Sequence, residues 1–261
     1  MREKLGQYFL KSGGGIDKII RELALGKETV IEIGSGHGAL TKPLALALKE
    51  KGGRLVAIEK DPALAAEARG WKIENLEITE GDVLEVLPSL SRELPGLSYK
   101  LCGNIPYYLT GFLLRTIGEL ENKPELIVLT VQKEVAERLV SEPPKMNKLA
   151  ASVRFWAEPK IISFIPRGDF NPPPNVDSAI ISLQPKKRGG TDPARYYETV
   201  RKLFAQPRKT ILNNLSAGTA LPRQEATAKI SSELAKLGLN PGARPQNLSV
   251  ENIIRIASSE F

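Results

Sequence analysis

The sequence predicts an α/β fold, with helices on both faces of a mostly parallel sheet, followed by a small all-helical domain. From about residue 28, short apolar runs alternate with segments of helical periodicity, which is the pattern of a parallel sheet covered on both faces. After residue 183 the strand patterns stop and helical periodicity alone remains. The 261 residues suffice for one large domain with a small companion, and we place the boundary between residues 183 and 184.

The predicted elements follow in chain order. Thr29–Ile33 is a buried strand that ends at the glycines of segment 34–38, and a helix follows over residues 39–51. Asp61 before Pro62 predicts an N-cap with proline at the first helical position. Further strands are expected at residues 55–58, 76–79, 99–102 and 126–131, with 160–164 and 178–183 closing one edge of the sheet. After a linker at 185–190, helices are expected at residues 193–205, 208–217, 224–237 and 249–258.

The composition limits the class of protein. Cys102 is the single cysteine, which excludes an internal disulfide and fits a reducing compartment, and we expect it to be a small buried side chain. His37 is the single histidine, so we expect no metal site. No apolar run reaches the roughly 18 residues of a membrane span, and the polar amino terminus lacks the apolar core of a signal peptide. We therefore expect a cytoplasmic protein.

The positive charge is concentrated in the last third of the chain. The net charge is +7, and residues 1–183 hold 24 Lys and Arg against 24 Asp and Glu, whereas residues 184–261 hold 13 against 6. The whole excess therefore lies in the predicted helical domain. This asymmetry predicts a polyanionic partner, either nucleic acid or a membrane surface, although an ordinary solvated basic face would carry the same charge.

The glycine segment stands where nucleotide-like ligands bind in parallel sheets. Gly34, Gly36 and Gly38 lie between a strand and a helix, where glycine permits a tight turn and a close approach of the backbone to a ligand. With Ala39 the segment also satisfies the looser dinucleotide pattern G-x-G-x-x-A. On this motif alone, a nicotinamide enzyme and a purely structural turn both stay open.

Two carboxylates follow successive predicted strands beside this loop. Glu59 stands after the second strand, where a carboxylate accepts hydrogen bonds from both ribose hydroxyls of an adenosine. Asp82 ends the third strand, where it would receive the adenine amine or only cap the following helix. Each acid alone has a simple structural interpretation. Together, beside a glycine loop, they indicate an adenosine-containing ligand.

The segment Asn104-Ile105-Pro106-Tyr107 comes directly after the fourth strand and indicates methylation of an aromatic amine. An aromatic amine is a poor nucleophile because its lone pair is delocalised into the ring, so a site that methylates it should accept both of its N–H bonds. The candidate acceptors are the Asn104 side-chain carbonyl and the Ile105 backbone carbonyl. Pro106 stiffens the turn, and Tyr107 offers a ring on which the base can stack. The alternative is a plain strand-end turn with a buried Tyr107.

A second aromatic element opens the proline-rich segment 170–176, just before the last predicted strand. Its prolines predict a stiff, extended loop. The Phe170 ring either covers the other face of the target base or anchors this loop in the core, and the residues themselves favour neither interpretation.

Several segments together resemble the ribosomal RNA adenine dimethyltransferases, and the resemblance runs in order from Gly6 to Leu183. In the tail, residues 203–215 resemble the helical domain of the KsgA type, which modifies two adjacent adenines near the 3′ end of small-subunit (16S) rRNA. The segments of the first domain that carry the resemblance are Gly6-Gln7-Tyr8-Phe9-Leu10, Glu32-Ile33-Gly34-Ser35-Gly36-His37-Gly38-Ala39-Leu40-Thr41, Asn104-Ile105-Pro106-Tyr107, Gln132-Lys133-Glu134-Val135-Ala136-Glu137-Arg138-Leu139 and 170–176.

The resemblance implies a Rossmann-like class I S-adenosylmethionine methyltransferase fold, with S-adenosylmethionine as the cofactor. Residues 1–183 would bind the cofactor and catalyse the reaction, and residues 184–261 would bind RNA. The cofactor-binding residues that it implies are Gln7, Tyr8, Leu10, Gly34, Gly36, Glu59, Lys60, Asp82, Val83 and Asn104. The catalytic residues that it implies are Asn104, Ile105, Pro106, Tyr107 and Phe170.

The implied partner is small-subunit rRNA or a pre-ribosomal particle, bound by a monomer that acts in small-subunit biogenesis. The candidate phosphate contacts are Lys202, Arg208 and Lys209, unless the last two only cap or solvate a helix. Three other functions share part of this sequence pattern: a macrolide-resistance type of large-subunit rRNA methyltransferase, a non-catalytic RNA-binding assembly factor, and a nicotinamide oxidoreductase. The tail disfavours the first, the intact site motifs disfavour the second, and no residue supplies hydride chemistry for the third.

Overall fold

The computed structural model describes residues 8–94, 98–186, 190–217, 219 and 222–259. The chain divides into two compact units. The larger unit comprises residues 1–137 and 158–185, and the smaller comprises residues 138–157 and 186–261. Residues 138–157, which the sequence pattern places in the first domain, therefore cluster with the carboxyl-terminal helices.

Seven of the strands form one sheet, in the order β4-β3-β2-β5-β6-β9-β7, and β1 pairs antiparallel with β8 in a separate sheet. The strands are β1 (Phe9–Leu10), β2 (Thr29–Ile33), β3 (Arg54–Glu59), β4 (Leu76–Glu80), β5 (Tyr99–Asn104), β6 (Leu126–Gln132), β7 (Ala157–Ile165), β8 (Phe170–Asn171) and β9 (Ser178–Pro185). The helices of this part are α1 (Gly13–Glu22), α2 (Thr41–Lys51), α3 (Pro62–Arg69), α4 (Val83–Glu93), α5 (Thr110–Glu119) and α6 (Lys133–Leu139).

The sheet is mostly parallel, as the alternating pattern predicts. From β4 to β6 every neighbouring pair is parallel, and β9 runs antiparallel to β6. Its central strands are nearly continuous apolar runs because helices cover both faces. Val30 and Ile31 are fully buried, and so is Cys102, as the sequence predicts. The last two strands close one edge, which confirms the expected position of β7 and β9.

The strand order shows where a ligand-binding crevice forms along the sheet. β2 is flanked by β3 on one side and by β5 on the other, so the chain changes direction across the sheet at β2. In open parallel sheets the loops on either side of such a switch point diverge and leave a crevice at the carboxyl ends of the strands. The glycine segment after β2 and the Asn104 segment after β5 therefore meet at this crevice.

The smaller unit is helical. The Phe155 ring stacks on Tyr196 with centroids 4.0 Å apart, and the Tyr196 hydroxyl donates to the Ala151 carbonyl at 2.9 Å. These contacts explain why residues 138–157 belong with the tail. The helices are α7 (Lys148–Arg154), α8 (Pro193–Leu203), α9 (Ile211–Ser216), α10 (Arg223–Lys236) and α11 (Val250–Ala257). No helix within the described residues has the length and apolarity that crossing a membrane requires.

Candidate active site

A cavity of about 360 Å³ opens at the carboxyl ends of β2, β3, β4 and β5. It brings together residues that are far apart in the sequence but follow neighbouring strands. All the predicted cofactor-binding residues that the structure describes line it, whereas Gln7 lies outside the described residues. Of the predicted catalytic residues, the whole segment from Asn104 to Tyr107 lines the cavity, and Phe170 does not.

The glycine loop presents its backbone to this cavity. Gly34 and Gly36 have φ angles of 79° and 52°, a left-handed conformation that glycine adopts without strain. Among the described residues, no atom lies within 4 Å of the position that a Cβ of Gly34 would occupy. A ligand can therefore approach the backbone here, which is what a nucleotide-like group requires.

Glu59 holds the loop from the neighbouring strand. It is 4% exposed, and its Oε2 accepts hydrogen bonds from the Gly36 N–H at 2.9 Å and the Ser35 hydroxyl at 3.4 Å. Its Oε1 accepts from the Asp61 N–H at 2.9 Å. Because a carboxylate offers about four acceptor positions, Oε1 keeps one for a ligand hydroxyl. The sequence predicts the ligand contact but not this second role in anchoring the loop.

Asp82 caps a helix, which is one of the two roles that the sequence leaves open, and it also lines the cavity. Its Oδ1 accepts from the Leu84 N–H at 2.9 Å and thereby caps α4, while its Oδ2 accepts from the Lys60 Nζ at 2.7 Å. The Lys60 ammonium holds the pKa of Asp82 below its usual range, and the bond from Leu84 acts in the same direction. Asp82 is therefore an ionised acceptor at the cavity wall.

The Asn104 side chain has a defined orientation. Its Nδ2 donates to the Tyr8 backbone carbonyl at 2.6 Å. Only the amide nitrogen can donate to a carbonyl, so this bond determines which way the amide faces and leaves Oδ1 as an acceptor. The residue before β1 and the end of β5 are thus joined at the cavity, and the acceptor that the sequence predicts is held in place.

The turn after Asn104 places an aromatic ring at the cavity wall. The Leu109 N–H donates to the Pro106 carbonyl at 2.9 Å and closes the turn. Because this bond uses the Pro106 carbonyl, it leaves the Ile105 carbonyl available as an acceptor. Tyr107 is half-buried, its hydroxyl lies 2.8 Å from the Ser178 Oγ, and burial raises its pKa. Its ring therefore stays neutral and fixed, with its centroid 5.4 Å from that of Tyr8.

Phe170 lies in the core rather than at the cavity. It is 1% exposed, it is paired with Leu10 across β1 and β8, and it belongs to the same apolar cluster as Ile16 and Ile165. A ring so deeply buried presents no face to a base in this arrangement. In this structure Phe170 is therefore a core residue that anchors its loop, and its contact with the target base stays a prediction.

Glu32 is a cavity residue that the sequence analysis does not single out. It lies in β2 just before the glycine loop, is 1% exposed, and its Oε2 has no hydrogen-bond partner. Burial raises the pKa of Glu32 to about 8, and the charge of Glu59 contributes in the same direction. An acid inside an otherwise apolar strand was the available signal. Tyr108, Leu109 and Phe112 also line the cavity, and only the fold brings them there.

The raised pKa of Glu32 predicts a pH-dependent stability. Between the pKa values of the unfolded and folded states, about 4.5 and about 8, the folded chain holds a proton that the unfolded chain has lost. The free energy of unfolding should therefore fall by about 1.4 kcal/mol per pH unit from this group as pH rises through that window. Glu32→Gln should remove this slope, so its stability relative to the wild type should increase from pH 5.5 to pH 8 in urea unfolding. If the free energies of unfolding of the two proteins changed equally between pH 5.5 and pH 8, Glu32 would not be protonated in the folded chain.

The predicted RNA contacts lie in the smaller unit and are exposed. Lys202 is paired with Glu198 at 2.9 Å, one helical turn away. Arg208 and Lys209 precede α9, whose N-cap is Thr210, and no described carboxylate forms an ion pair with either. Cations next to a helix amino terminus are electrostatically unfavourable, so they do not serve to cap α9. An anion bound from outside the chain, such as a phosphate group, would stabilise Arg208 and Lys209.

The cavity residues fit an adenosine-containing sulfonium cofactor. The exposed loop backbone, a free acceptor position on Glu59 and the ionised Asp82 match an adenosine, and Asn104 places a neutral acceptor nearby. No cluster of three or more His, Cys, Asp or Glu within the described part of the chain could hold a metal ion. The fold and this site define the class of Rossmann-like methyltransferases.

Comparison with known proteins agrees with this class. The fold is similar to the crystal structure of a dimethyladenosine transferase from Plasmodium falciparum, with a TM-score of 0.81, 24% identity and 95% of each chain covered. It is also similar to the 23S rRNA methyltransferase ErmE, with a TM-score of 0.72, 25% identity and coverage of 95% of this chain and 98% of that one.

The chain matches the ribosomal RNA adenine dimethylase family over residues 1–259 and belongs to it. It is 38% identical over 258 residues to the ribosomal RNA small subunit methyltransferase A of Dehalococcoides mccartyi, covering 96% of this chain and 85% of that protein. A protein of the same name from Pelotomaculum thermopropionicum is 38% identical over 277 residues, with 99% and 90% covered. The chain is therefore an S-adenosylmethionine-dependent methyltransferase that acts on adenine in ribosomal RNA.

Proposed function

We propose that this protein dimethylates the exocyclic amines of two adjacent adenines near the 3′ end of small-subunit rRNA. It does so as a monomer in the cytoplasm, during small-subunit biogenesis. The observation that carries the proposal is the fixed amide of Asn104, whose Nδ2 is held by the Tyr8 carbonyl while Oδ1 is left to accept a hydrogen bond from an amine. The relatives named for the small subunit support this choice of substrate over large-subunit rRNA.

The cofactor is bound along the strand ends. The free acceptor position on Glu59 Oε1 takes a ribose hydroxyl, Asp82 accepts from the adenine amine, and Gly34 and Gly36 pass the backbone close to the ligand. Tyr8, Leu10, Lys60 and Val83 complete the wall. When bound, S-adenosylmethionine supplies an activated methyl group.

The target adenine is held by the segment after β5. Asn104 Oδ1 and the Ile105 carbonyl accept the two N–H bonds of the amine, which turns its lone pair out of conjugation with the ring. The base stacks on Tyr107, whose hydroxyl is held by Ser178. Positioning of this kind contributes roughly 7–11 kcal/mol to a displacement, so no strong base is needed.

Incubation with unmethylated small-subunit particles and the cofactor, followed by mass spectrometry of the rRNA, tests the function. We expect dimethylation at two adjacent adenines. Large-subunit particles are the matched control. Methylation of the large-subunit RNA alone would replace the proposal with the macrolide-resistance function, and methylation of neither would leave a non-catalytic assembly role.

Within the basic tail, Lys202, Arg208 and Lys209 are expected to bind RNA phosphates. Each neutralised phosphate contributes a slope of about −0.7 to −0.9 in log affinity against log salt concentration. The double variant Arg208→Ala and Lys209→Ala should therefore weaken RNA binding and shrink the slope by roughly one to two units, with cofactor affinity unchanged. The matched control removes the exposed pair Arg223 and Lys229 of α10. Equal slopes for the first variant and the wild type would rule out these contacts.

A further inference from the structure

An exposed aromatic ring lies among cations on the larger unit, outside the cavity. Phe164, next to the end of β7, is 49% exposed, and the Lys133 Nζ lies 5.2 Å from its ring centroid. The adjacent Ser163 hydroxyl accepts a hydrogen bond from the Lys18 Nζ at 2.8 Å. Together with the exposed Arg167, these residues form what we call the Phe164 surface. No described carboxylate pairs with either lysine.

The Phe164 surface adjoins the wall on which the target base stacks. Tyr107 is held by Ser178, and Ser178 is paired with Gln132, the residue before Lys133. The Lys133 N–H also donates to the Asp177 carbonyl at 3.0 Å, and the Asp177 carboxylate accepts from the Arg167 N–H at 3.0 Å. Three hydrogen bonds, through Ser178 and its neighbour Asp177, thus connect Tyr107 to the backbone of Lys133 and Arg167.

The chemistry of the surface matches single-stranded RNA. An exposed ring offers a face on which a base stacks, and cations beside it neutralise the flanking phosphates. Lysine is depleted in the cores of protein interfaces, which disfavours a protein partner. Because hydrogen bonds and strand pairing link this surface to Tyr107, the nucleotides that flank an adenine in the cavity are the RNA segment we expect here.

We propose that the Phe164 surface binds the RNA strand next to the methylated adenine. A neighbouring base stacks on Phe164, while Lys133 and Lys18 contact the phosphates on either side. This inference rests on the proposed function, because the cavity must hold the target adenine. It assigns an RNA contact to the larger unit. The balanced charge of residues 1–183 does not predict such a contact.

The test measures affinity for unmethylated small-subunit rRNA over a salt series. Phe164→Leu keeps an apolar side chain without a ring and should weaken binding roughly 5- to 150-fold, whereas Phe164→Trp should bind like the wild type. Lys133→Gln should shrink the salt slope by about 0.7 to 0.9. The matched controls are Leu46→Ala and Lys51→Gln, which alter an exposed apolar residue and an exposed cation of α2 and should change neither quantity.

Turnover distinguishes RNA binding from a structural role. For Phe164→Leu, the KM for RNA should rise while kcat and cofactor affinity stay near the wild-type values. Wild-type affinity and salt slope in both Phe164→Leu and Lys133→Gln would overturn the inference. If the wild-type protein binds this RNA but does not methylate it, the proposed function fails, and the affinity series still decides whether the surface contacts RNA.

Discussion

Asn104→Ala should lower the rate of methyl transfer at least about 100-fold, since a misplacement of about 1 Å at a reacting centre already costs that much. The variant loses the Oδ1 acceptor for the target amine, and it also loses the bond that joins Asn104 to the Tyr8 carbonyl. RNA affinity should be largely retained because phosphate contacts supply most of it. Single-turnover rates at saturating cofactor and saturating RNA measure the effect on the chemical step alone.

Asn75→Ala is the matched control for this prediction. Asn75 also donates from its Nδ2 to backbone carbonyls, those of Ala45 and Gly53, but it does not line the cavity. Its removal should affect stability and leave the rate per folded molecule unchanged. A rate for Asn104→Ala within a few-fold of the wild type would show that the amine is oriented by other groups.

Glu59→Gln should weaken cofactor binding by about 2–4 kcal/mol, which is roughly 30- to 1,000-fold in affinity. The amide replaces one carboxylate oxygen with a donor, so either the Gly36 N–H or a ribose hydroxyl loses its acceptor. Alanine is a less informative substitution at this position. The structure shows that alanine would also release the Ser35 hydroxyl and the Asp61 N–H, which mixes loop disorder with lost ligand contacts.

Calorimetric titration with S-adenosylhomocysteine, alongside urea unfolding, separates these two effects. Glu77→Gln is the matched control, because Glu77 lies on β4 and is exposed, 3.9 Å from Arg54. It should bind the cofactor product like the wild type. If Glu59→Gln binds with unchanged affinity, Glu59 serves only to anchor the glycine loop.

The residues of the cofactor site were within reach of the sequence because they follow strands. Gly34, Glu59, Asp82 and Asn104 each come directly after an apolar run or at its end, and parallel strands present their carboxyl ends at one edge. Local pattern therefore sufficed to place them together. The same reasoning could not find Tyr108 or Phe112, which reach the cavity only because the turn after β5 carries them over it.

Glu32 and the two phenylalanines show where local pattern is insufficient. The pKa of Glu32 depends on how completely helices cover β2 and on the nearby Glu59. The local sequence does not show which of Phe170 and Phe164 is buried. Phe170 opens a proline-rich segment, and Phe164 lies in a predicted strand. Pairing of β8 with β1 buries the first, whereas the second remains 49% exposed.

The sequence by itself determined the succession of the seven strands of the main sheet, the helical character of the tail, the ligand class and the edge of the sheet at which the ligand binds. It did not predict the short strands β1 and β8 or the helices α1 and α7. Hydrophobic periodicity and residue chemistry are local properties, and they are read directly along the chain. Only the tertiary structure decided that residues 138–157 join the tail, that Glu59 anchors the loop, and which phenylalanine meets solvent. Burial and hydrogen-bond partners are set by contacts between residues distant in the chain, which no local pattern encodes.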